Sequence, residues 1–341
     1  MAVNERPGVY SSYEVTSAVN GSAAGGTVGC AALGAKGAEL GIQRITSRAA
    51  AAEKFGTGGI TELCTLALRN GAGVVYACAL DEAADTADYA AAFEKLCKVE
   101  NIQFLFSDSR DEAVHRALKE AILSASEAYR YRIGIAEQSG SVSELVQGAA
   151  GLNCERMVLL AAESEQEPGA YAAAFAGAAA AGADPAQPLN GAPLAGVSWN
   201  GVWPDADVNA LVRGGVSLLE SMAGTPYILR AVTTRTTTGG AQDSTWRELT
   251  TIRIIDEVIP GIRASLRRRF SRAKNTAQTR GAIRTQVIIE LQNRLEREII
   301  DSYGAVAVSP SAEEPTACLV EFEFTVAHGL NHICLSAKIT V

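Results

Sequence analysis

The sequence predicts an α/β protein with a parallel sheet, followed by an α+β part and extended by a strand-like segment at each end. From about residue 26 to 165, apolar strand-like runs alternate with helical runs, which is the order of a parallel sheet covered by helices. The strand-like runs lack polar alternation, as strands buried on both faces do. Residues 320–326 and 332–341 instead alternate between apolar and polar side chains, which is typical of half-buried strands.

Composition limits the class of protein. The 341 residues allow one large domain or two ordinary ones, and hydrophobic residues make up 48%, enough for a sizeable core. The apolar runs are shorter than the ~20 residues that span a bilayer, and residues 1–8 lack the apolar segment of a signal peptide. We therefore expect a soluble protein made and used in a cytoplasm, without direct membrane insertion. Seven cysteines with no CxxC pair indicate reduced, mostly buried thiols.

The first 25 residues are predicted to form an arm and a tether. A strand over 9–15 places Val9, Ser11, Tyr13 and Val15 on one face and Tyr10 on the other. A Pro-Gly pair precedes this strand, and the Gly/Ala/Ser-rich stretch "VNGSAAGGT" follows it. No neighbouring segment is left to pair with the strand, so its partner must lie elsewhere.

Five strands and four helices are predicted between residues 26 and 165. The strands are "GTVGCAALG", "GVVYACAL", "IQFLFSDS", "YRIGIAEQ" and "RMVLLAAES". The helices are "ITELCTLALRNG", "TADYAAAFEKLCKV", "DEAVHRALKEAILSASEA" and "SVSELVQGAAG". Gly71 is a stop signal after the first helix, Thr86 is predicted to cap the second, and acids open the third, as the helix dipole favours.

The chain from 169 to 238 is predicted to lead out of the first domain. The Ala/Gly-rich stretch 169–183 is predicted to be a helix that lets a neighbour pack closely. Residues 184–204 form a long loop with four prolines, and loops of this length are often functional. We predict a helix over 205–221 and a β-rich start of the second domain at 225. The predicted segments are an arm and tether at 1–25, domains at 26–224 and 225–328, and an arm strand at 329–341.

Two helices and two strands are predicted in the second domain. Apolar side chains of the first helix fall in a narrow stripe: Ile252, Ile255, Ile259, Ile262, Leu266 and Phe270. Pro260-Gly261 is expected to kink or split this helix. The second helix, near 279–300, has an apolar face: Val287, Ile288, Leu291, Leu295 and Ile299. The terminal strand presents on one face Ile333, Leu335, Ala337, Ile339 and Val341.

The sequence predicts no catalytic, cofactor or metal site, and we expect no enzyme. His115 is expected on a solvated helix face, while His328 and His332 flank a turn, where their spacing does not suit a metal. The glycines fit neither the GxGxxG fingerprint nor a P-loop. Three acids follow predicted strands, where α/β enzymes keep catalytic groups and where acids also cap helices: Asp81, Asp108 and Glu163.

One segment carries a strong positive charge. Residues 260–288 contain no acidic side chain and eight basic ones: Arg263, Arg267, Arg268, Arg269, Arg272, Lys274, Arg280 and Arg284. Because the whole chain carries −8, the remainder carries −16, and this asymmetry implies an acidic partner for one surface. A solvated helix face, phosphate binding through the arginine fork and docking on an acidic protein surface all fit the segment. Composition does not separate the last two.

The two strand-like ends favour pairing between copies of the chain. Unpaired strands are a liability unless something pairs them, and adding a strand to another chain's sheet gives affinity through main-chain hydrogen bonds. If the arms of one copy complete the sheet of the next, the contact is heterologous, and repeated without closure it builds a helical polymer.

Several segments in the same order resemble contractile tail sheath proteins of phages and phage-derived injection particles. "RPGVY" resembles the amino-terminal arm of that family, and "PLNGAPLAGV" resembles the loop before the last helix of its subtilisin-like domain. "RAVTTRT" followed by "STWRELTTIRIIDEV" is similar to the start of its C-terminal domain, and "HICLSAKITV" to its carboxy-terminal arm. The resemblance covers both ends and residues 185–341, while residues 26–165 agree in their α/β pattern.

The resemblance implies a structural subunit that stacks as hexameric rings or a six-start helix around a rigid tail tube. It implies a subtilisin-like outer domain and a tube-facing C-terminal domain, whose sheet is joined by the arms of neighbours. Its implied partners are other copies, the tail tube, baseplate and tail terminator proteins, but no nucleic acid. The particle, a virion or a phage-tail-like assembly, would form in a host bacterial cytoplasm. The alternative is an α/β enzyme or a nucleic-acid-binding protein with a basic helical lobe.

Overall fold

The computed structural model describes residues 25–34, 36–182 and 184–331 together with Leu335. The predicted N-terminal arm strand, with Val9, Tyr10, Ser11, Tyr13 and Val15, lies outside the described residues. So do four of the five residues predicted for the C-terminal arm face: Ile333, Ala337, Ile339 and Val341. The fifth, Leu335, is described and is 95% exposed.

One eight-stranded sheet organises the described chain from residue 27 to residue 230. Its strands are β1 (Thr27–Leu33), β2 (Ile42–Ile45), β3 (Val74–Leu80), β4 (Ile102–Ser107), β5 (Ile133–Gln138), β6 (Met157–Ala161), β7 (Val216–Met222) and β8 (Thr225–Arg230). Their order is β2-β3-β1-β4-β5-β6-β7-β8, with six parallel strands in the centre and an antiparallel strand at each edge. The predicted α/β class with a parallel sheet is confirmed.

Helices cover both faces of this sheet. They are α1 (Arg48–Phe55), α2 (Gly59–Arg69), α3 (Thr86–Lys98), α4 (Glu112–Glu127), α5 (Val142–Leu152), α6 (Ala170–Ala181) and α7 (Asp205–Arg213). Helices α1, α2 and α6 bury their side chains in one core, and α3, α4, α5 and α7 bury theirs in a second core on the opposite face. Along each central strand, successive apolar side chains point alternately into the two cores. Both faces are therefore buried, and the strands appear in the sequence as continuous apolar runs.

Helix α6 packs as closely as its composition predicted. Nearly all of its side chains are buried, and a Cβ atom at Gly177 would lie 2.3 Å from the carbonyl oxygen of Ala67 in α2. Only small side chains allow two helix backbones to approach in this way. The Ala/Gly-rich stretch is therefore a core helix rather than a surface one.

Three local predictions are corrected. The helix predicted over 205–221 ends at Arg213, because Gly214-Gly215 interrupts it, with Gly215 at φ 84°, and β7 follows. Strand β8, which the sequence assigned to the second domain, is hydrogen-bonded to β7 in the first sheet. The cap of α3 is Asp85 rather than Thr86, since the Asp85 carboxylate accepts from two backbone amides. The domain boundaries themselves stay predictions.

The C-terminal part is a helical hairpin with small antiparallel sheets. A short ladder joins β9 (Thr237–Thr238) to β10 (Ala241–Gln242), and the helices are α8 (Leu249–Phe270) and α9 (Ala277–Glu296). Two further sheets pair β11 (Ile300–Tyr303) with β14 (Phe324–Val326) and β12 (Ala307–Pro310) with β13 (Cys318–Glu321). The single strand predicted over 320–326 is thus divided between β13 and β14. No described helix is long and apolar enough to cross a bilayer.

Helix α8 is not split at Pro260 and runs for 22 residues. Its buried side chains in the hairpin core are Ile254, Val258 and Ile262, spaced four residues apart, whereas Ile255 and Ile259 of the predicted stripe are only half-buried. The buried face of α8 is therefore rotated relative to the predicted stripe, so that it is centred on residues 254 and 258. The apolar face predicted for the second helix is confirmed at its centre, where Val287 and Leu291 are fully buried.

Two ion pairs attach α8 to the sheet. Arg156, which directly precedes β6, donates to both carboxylate oxygens of Asp256 in α8, at 2.7 and 2.8 Å. At the start of α8, the Arg230 guanidinium at the end of β8 binds the Glu248 carboxylate. The first pair is mostly buried, with side-chain exposures of 8% and 18%. The hairpin is consequently fixed to the sheet by directional, desolvated contacts.

His115 is buried at 2% exposure, which corrects the prediction of a solvated position. Its imidazole Nε2 lies 3.0 Å from the carbonyl oxygen of Ser109, so this nitrogen must carry the proton. Burial lowers the pKa of His115 below its ordinary value. The flanking Arg and Glu residues suggested a polar face, but the helix turns His115 toward the second core.

We predict that His115 makes the protein less stable as the pH falls below about 6.5. In the unfolded chain His115 binds a proton near its ordinary pKa of about 6.5, whereas the folded state resists protonation. The contribution of His115 to the free energy of unfolding is therefore lost progressively below that pH. Urea unfolding between pH 5 and 7.5 measures this slope. The His115→Gln variant should show a smaller slope than the unaltered protein. Identical slopes in the two proteins would contradict the assignment.

Candidate assembly interface

Helices α8 and α9 form a hairpin whose tip comprises the last turn of α8, from Arg267, and the six-residue connection 271–276. Val258 and Ile262 of α8 pack in one core with Val287 and Leu291 of α9. At the start of α9, the Thr276 hydroxyl accepts from the backbone amide of Thr279, which closes the helix end. The tip is thus held by a packed core on one side and a capped helix on the other.

Five of the eight predicted interface residues are exposed at this tip: Arg267, Arg268, Arg269, Arg272 and Lys274. The first three form the last turn of α8, where positive charge complements the helix dipole. Within the described residues, none of the eight basic side chains makes an ion pair within 4.0 Å. The tip therefore presents positive charge that no ion pair with a described residue neutralises.

The other three predicted interface residues have structural contacts. The Arg263 guanidinium stacks over the Tyr129 ring at 4.3 Å and donates to the Tyr131 hydroxyl. Arg280 donates to the Asn275 side chain at 2.9 Å, and Arg284 donates to the carbonyl oxygen of Val306 at 2.8 Å. Arg263 thus contacts the segment before β5 of the large sheet. In this it differs from the five tip residues, whose side chains make no such contact.

The connection at the tip is braced by the loop before β13. The Asn275 amide donates to the carbonyl oxygens of Pro315 and Ala317, at 2.8 and 3.0 Å. The same loop exposes the carboxylates of Glu313 and Glu314. The backbone of the tip is therefore ordered, although its arginine side chains extend into solvent.

The two small C-terminal sheets offer edges for further strands. Among the described residues, each of β11, β12, β13 and β14 pairs with a single strand, so one edge of each has free backbone groups. Phe322, Phe324 and Val326 pack partly against the hairpin core, while Glu321 and Glu323 point to solvent. A strand added here would continue a sheet that already rests on a hydrophobic face.

The acids at the carboxyl ends of the parallel strands are used by the fold. Asp108 accepts from the Leu33 amide and the Tyr89 hydroxyl, and burial raises the pKa of its carboxyl. Glu163 accepts from the Tyr171 hydroxyl and the Asn200 amide. Asp81 is exposed and accepts from the following backbone amide. These contacts fix strand ends and loops.

Sequence reasoning missed Glu137, a fully buried acid at the end of β5. Its carboxylate accepts from three backbone amides at the start of α6, at 2.7 to 3.1 Å, and from Arg110 at 3.0 Å. Burial raises the pKa of this carboxyl, while the amides and Arg110 oppose the shift. The available signal was an acid inside an otherwise apolar strand. No group of three or more His, Cys, Asp or Glu side chains suited to a metal occurs in the described part of the chain.

Comparisons with known proteins relate both parts of the chain to one kind of assembly. The family model of the phage tail sheath C-terminal domain matches residues 241–340. A search of curated proteins finds no match. Among solved structures, the helical sheath of the anti-feeding prophage in its contracted state aligns with 98% of this chain and 99% of its own, with 17% identity and a TM-score of 0.72.

Crystal structures of two bacterial sheath tail proteins give similar alignments. That of Desulfitobacterium hafniense covers 94% of this chain and 100% of its own, at 11% identity and a TM-score of 0.69. That of Listeria innocua covers 89% and 95%, at 12% identity and a TM-score of 0.68. The chain therefore has the fold of tail sheath proteins over nearly its whole length. The subtilisin-like description of its first domain stays a prediction.

We predict a measurable coupling between Arg263 and Tyr129. A cation over a partly exposed aromatic ring contributes about 0.5–1 kcal/mol, so a double-mutant cycle with Arg263→Ala and Tyr129→Ala should give a coupling energy of that size. The matched cycle with Arg267→Ala and Tyr129→Ala should give none, because Arg267 belongs to the tip. Urea unfolding of the six proteins measures both coupling energies. Equal coupling energies in the two cycles would contradict the claim that Arg263, unlike the tip residues, stacks on Tyr129.

Proposed function

We propose that this chain, which has the fold of tail sheath proteins, is a structural subunit of a contractile tail sheath. The observation that carries the proposal is the full-length alignment with the sheath of the anti-feeding prophage, which leaves almost no residue of either chain unmatched. The family match at residues 241–340 supports it independently, because it comes from the sequence of the C-terminal part alone. The subunit would polymerise helically around a tail tube and, on contraction, drive the tube through a target envelope.

Strand exchange supplies the contact between subunits in this proposal. The N-terminal arm strand of one copy and the C-terminal arm strand of another would add to the edges of the small sheets formed by β11–β14 and β12–β13. Each added main-chain hydrogen bond contributes roughly 0.5–1.5 kcal/mol, so five or six such bonds contribute several kcal/mol. The Gly/Ala/Ser-rich tether after the N-terminal strand would keep subunits linked while they reorient.

The hairpin tip supplies the contact with the tube. Of the eight basic residues assigned to it, five are exposed and have no side-chain hydrogen bond or ion pair with a described residue, which leaves them free to meet an acidic tube surface: Arg267, Arg268, Arg269, Arg272 and Lys274. Exposed ion pairs contribute about 0–1 kcal/mol each. Several together would hold the extended sheath on the tube, and the individual pairs would break when the subunits rotate.

Contraction would need no chemical step. The extended sheath would be kinetically stable, and rigid-body rotation at the interfaces would release it toward better burial between subunits. The further partners in this proposal are baseplate and tail terminator proteins, within a virion or tail-like particle assembled in a host bacterial cytoplasm. The enzyme alternative is not favoured, since Asp108 and Glu163 are occupied by contacts within the fold.

We predict that deleting residues 1–20 abolishes tubes and rings while leaving a folded monomer, because the deletion removes the arm and spares the described fold. Negative-stain electron microscopy and sedimentation of the purified protein measure assembly, and circular dichroism measures folding. Substituting Ala for Glu5 and Arg6, which keeps the strand backbone, should leave assembly intact. Tubes formed by the truncated protein would refute strand exchange through this arm.

We predict that charge reversal at the tip impairs assembly on the tube more than it impairs self-assembly into empty contracted sheath. The triple variant Arg267→Glu, Arg268→Glu and Arg269→Glu replaces attraction to an acidic tube with repulsion. Its matched control is Lys95→Glu, Lys98→Glu and Arg116→Glu, which makes the same change in net charge at exposed positions of α3 and α4. Co-expression with the tube protein and electron microscopy count both products. Equal loss of tube-bound and empty sheath in the tip variant would rule out a tube-facing tip.

A further inference from the structure

The long loop between α6 and α7 lies along the outer edge of β8. This loop, residues 184–204, contains four prolines, and loops of this length are often functional. Strand β8 is the last strand of the eight-stranded sheet. The edge of such a strand exposes backbone groups with which another chain can pair. The contacts of the loop therefore decide whether this edge is open to a second copy of the chain.

Three backbone hydrogen bonds join the loop to β8. The amide of Gly191 donates to the carbonyl oxygen of Ile228 at 2.7 Å, and the amide of Ile228 donates to the carbonyl oxygen of Ala192 at 2.9 Å. The amide of Leu194 donates to the carbonyl oxygen of Pro226 at 2.8 Å. Gly191, at φ 80°, and Ala192 lie opposite one residue of β8, which is the pattern of a β-bulge. These positions of the β8 edge are consequently occupied.

The outer side of the segment 191–195 lacks free backbone donors. The amide of Ala192 turns back to the carbonyl oxygen of Leu189, at 3.0 Å. Pro193 pairs with Tyr227 in an antiparallel bridge. The hydrogen bonds on either side of this bridge leave the Pro193 nitrogen facing away from β8, and proline has no N–H to offer there. A further strand would therefore find no amide at the position where the ladder requires one.

Side-chain contacts hold the segment 191–195 in place. The Asn70 side chain, at the end of α2, accepts from the Ala195 amide at 2.8 Å and donates to the Ala195 carbonyl oxygen at 2.9 Å. Leu189 and Leu194 are buried in the core that α2 and α6 share, at 8% and 1% exposure. The segment is thus an ordered part of the sheet edge rather than a loose connection.

The other strand edges of the molecule differ from this one. Strand β2, at the opposite edge of the large sheet, has four residues and exposes Arg44. Short edge strands with a charged side chain are poor templates for a further strand. By contrast, β11, β12, β13 and β14 each pair with a single strand among the described residues. The large sheet is therefore protected at both edges, whereas the small sheets have edges available.

We propose that residues 191–195 form an edge cap, which keeps strands of other copies off β8 and so directs strand addition to the small C-terminal sheets. The excluded partner is an extended segment of a second copy, which needs both donors and acceptors along an edge to bind there. The edge cap omits one donor at Pro193 and bonds the remaining amides within the fold. The direction toward the small sheets rests on the proposed strand exchange, whereas the edge cap itself does not.

Hydrogen–deuterium exchange of the full-length protein at two concentrations, about twentyfold apart, tests the edge cap. The Asn70→Ala/Pro193→Ala variant releases Ala195 and restores an outward N–H, so the amides of 226–231 should exchange faster at the low concentration. At the high concentration their exchange should slow at least threefold more than in the unaltered protein, because β8 edges then pair between copies. The matched control Pro204→Ala restores an N–H at the exposed end of the same loop, and it should behave as the unaltered protein does.

The Leu194→Asp variant is a second test, since a carboxylate at this buried position expels the segment while β8 keeps its own sequence. It should show the same slowing at 226–231, and sedimentation velocity should detect larger species than in the unaltered protein. Protection of residues 133–138, in β5, reports that the sheet remains folded. If concentration slows exchange at 226–231 in neither variant beyond the unaltered protein, the proposal is overturned. Tube formation is not part of this measurement, so such a result leaves the sheath proposal untouched.

Discussion

The contact between Arg156 and Asp256 decides where the helical hairpin stands relative to the sheet. Its two hydrogen bonds join the start of β6 to the middle of α8, and most of both side chains is removed from water. Removing one partner of such a pair leaves a buried charge, at a cost of about 3–5 kcal/mol. Together with the Arg230–Glu248 pair, this contact positions the tip and the small sheets, because both are carried by the hairpin or pack on it.

The proposed role as a subunit of a contractile assembly would make two opposing demands on the chain. It must move as a unit, and it must leave backbone groups open for its neighbours. The described chain meets the first through the dense packing of α6 against α2 and through the arginine contacts around α8. It meets the second at the small C-terminal sheets, whose strands each have one partner among the described residues. The closely packed elements are the large sheet and the hairpin, whereas the strand edges with free backbone groups belong to the small C-terminal sheets.

Arginine is used in three distinct ways around α8. Arg156 pairs with a carboxylate, Arg263 stacks on a tyrosine, and the arginines of the tip face solvent. In the sequence these residues differ little, since Arg263 and Arg267 are four positions apart on one helix. Their surroundings separate them: Tyr129 and Tyr131 contact Arg263, whereas no side-chain contact with a described residue is found at Arg267. Charge counting therefore identified the basic segment but could not tell the side chains that make contacts within the fold from those that make none.

The local sequence by itself determined the class of fold. The apolar strands, the alternating helices and the close-packing composition of α6 follow from residue patterns that operate over a few turns or one strand. It also carried the order of segments on which the sheath resemblance rests. Elements with weak local signals were missed, such as β2, which has four residues, and α1, which has no apolar stripe.

Only the tertiary structure decided which side chains are buried and what they contact. It placed His115 in a core despite charged neighbours, ended α7 at a glycine pair, rotated the buried stripe of α8 and laid the loop 184–204 along the edge of β8. The partners in such contacts are distant in the chain: Arg156 and Asp256 are 100 residues apart. The physical reason is that burial and ion pairing depend on segments brought together by folding, whereas periodicity depends on neighbours along the chain.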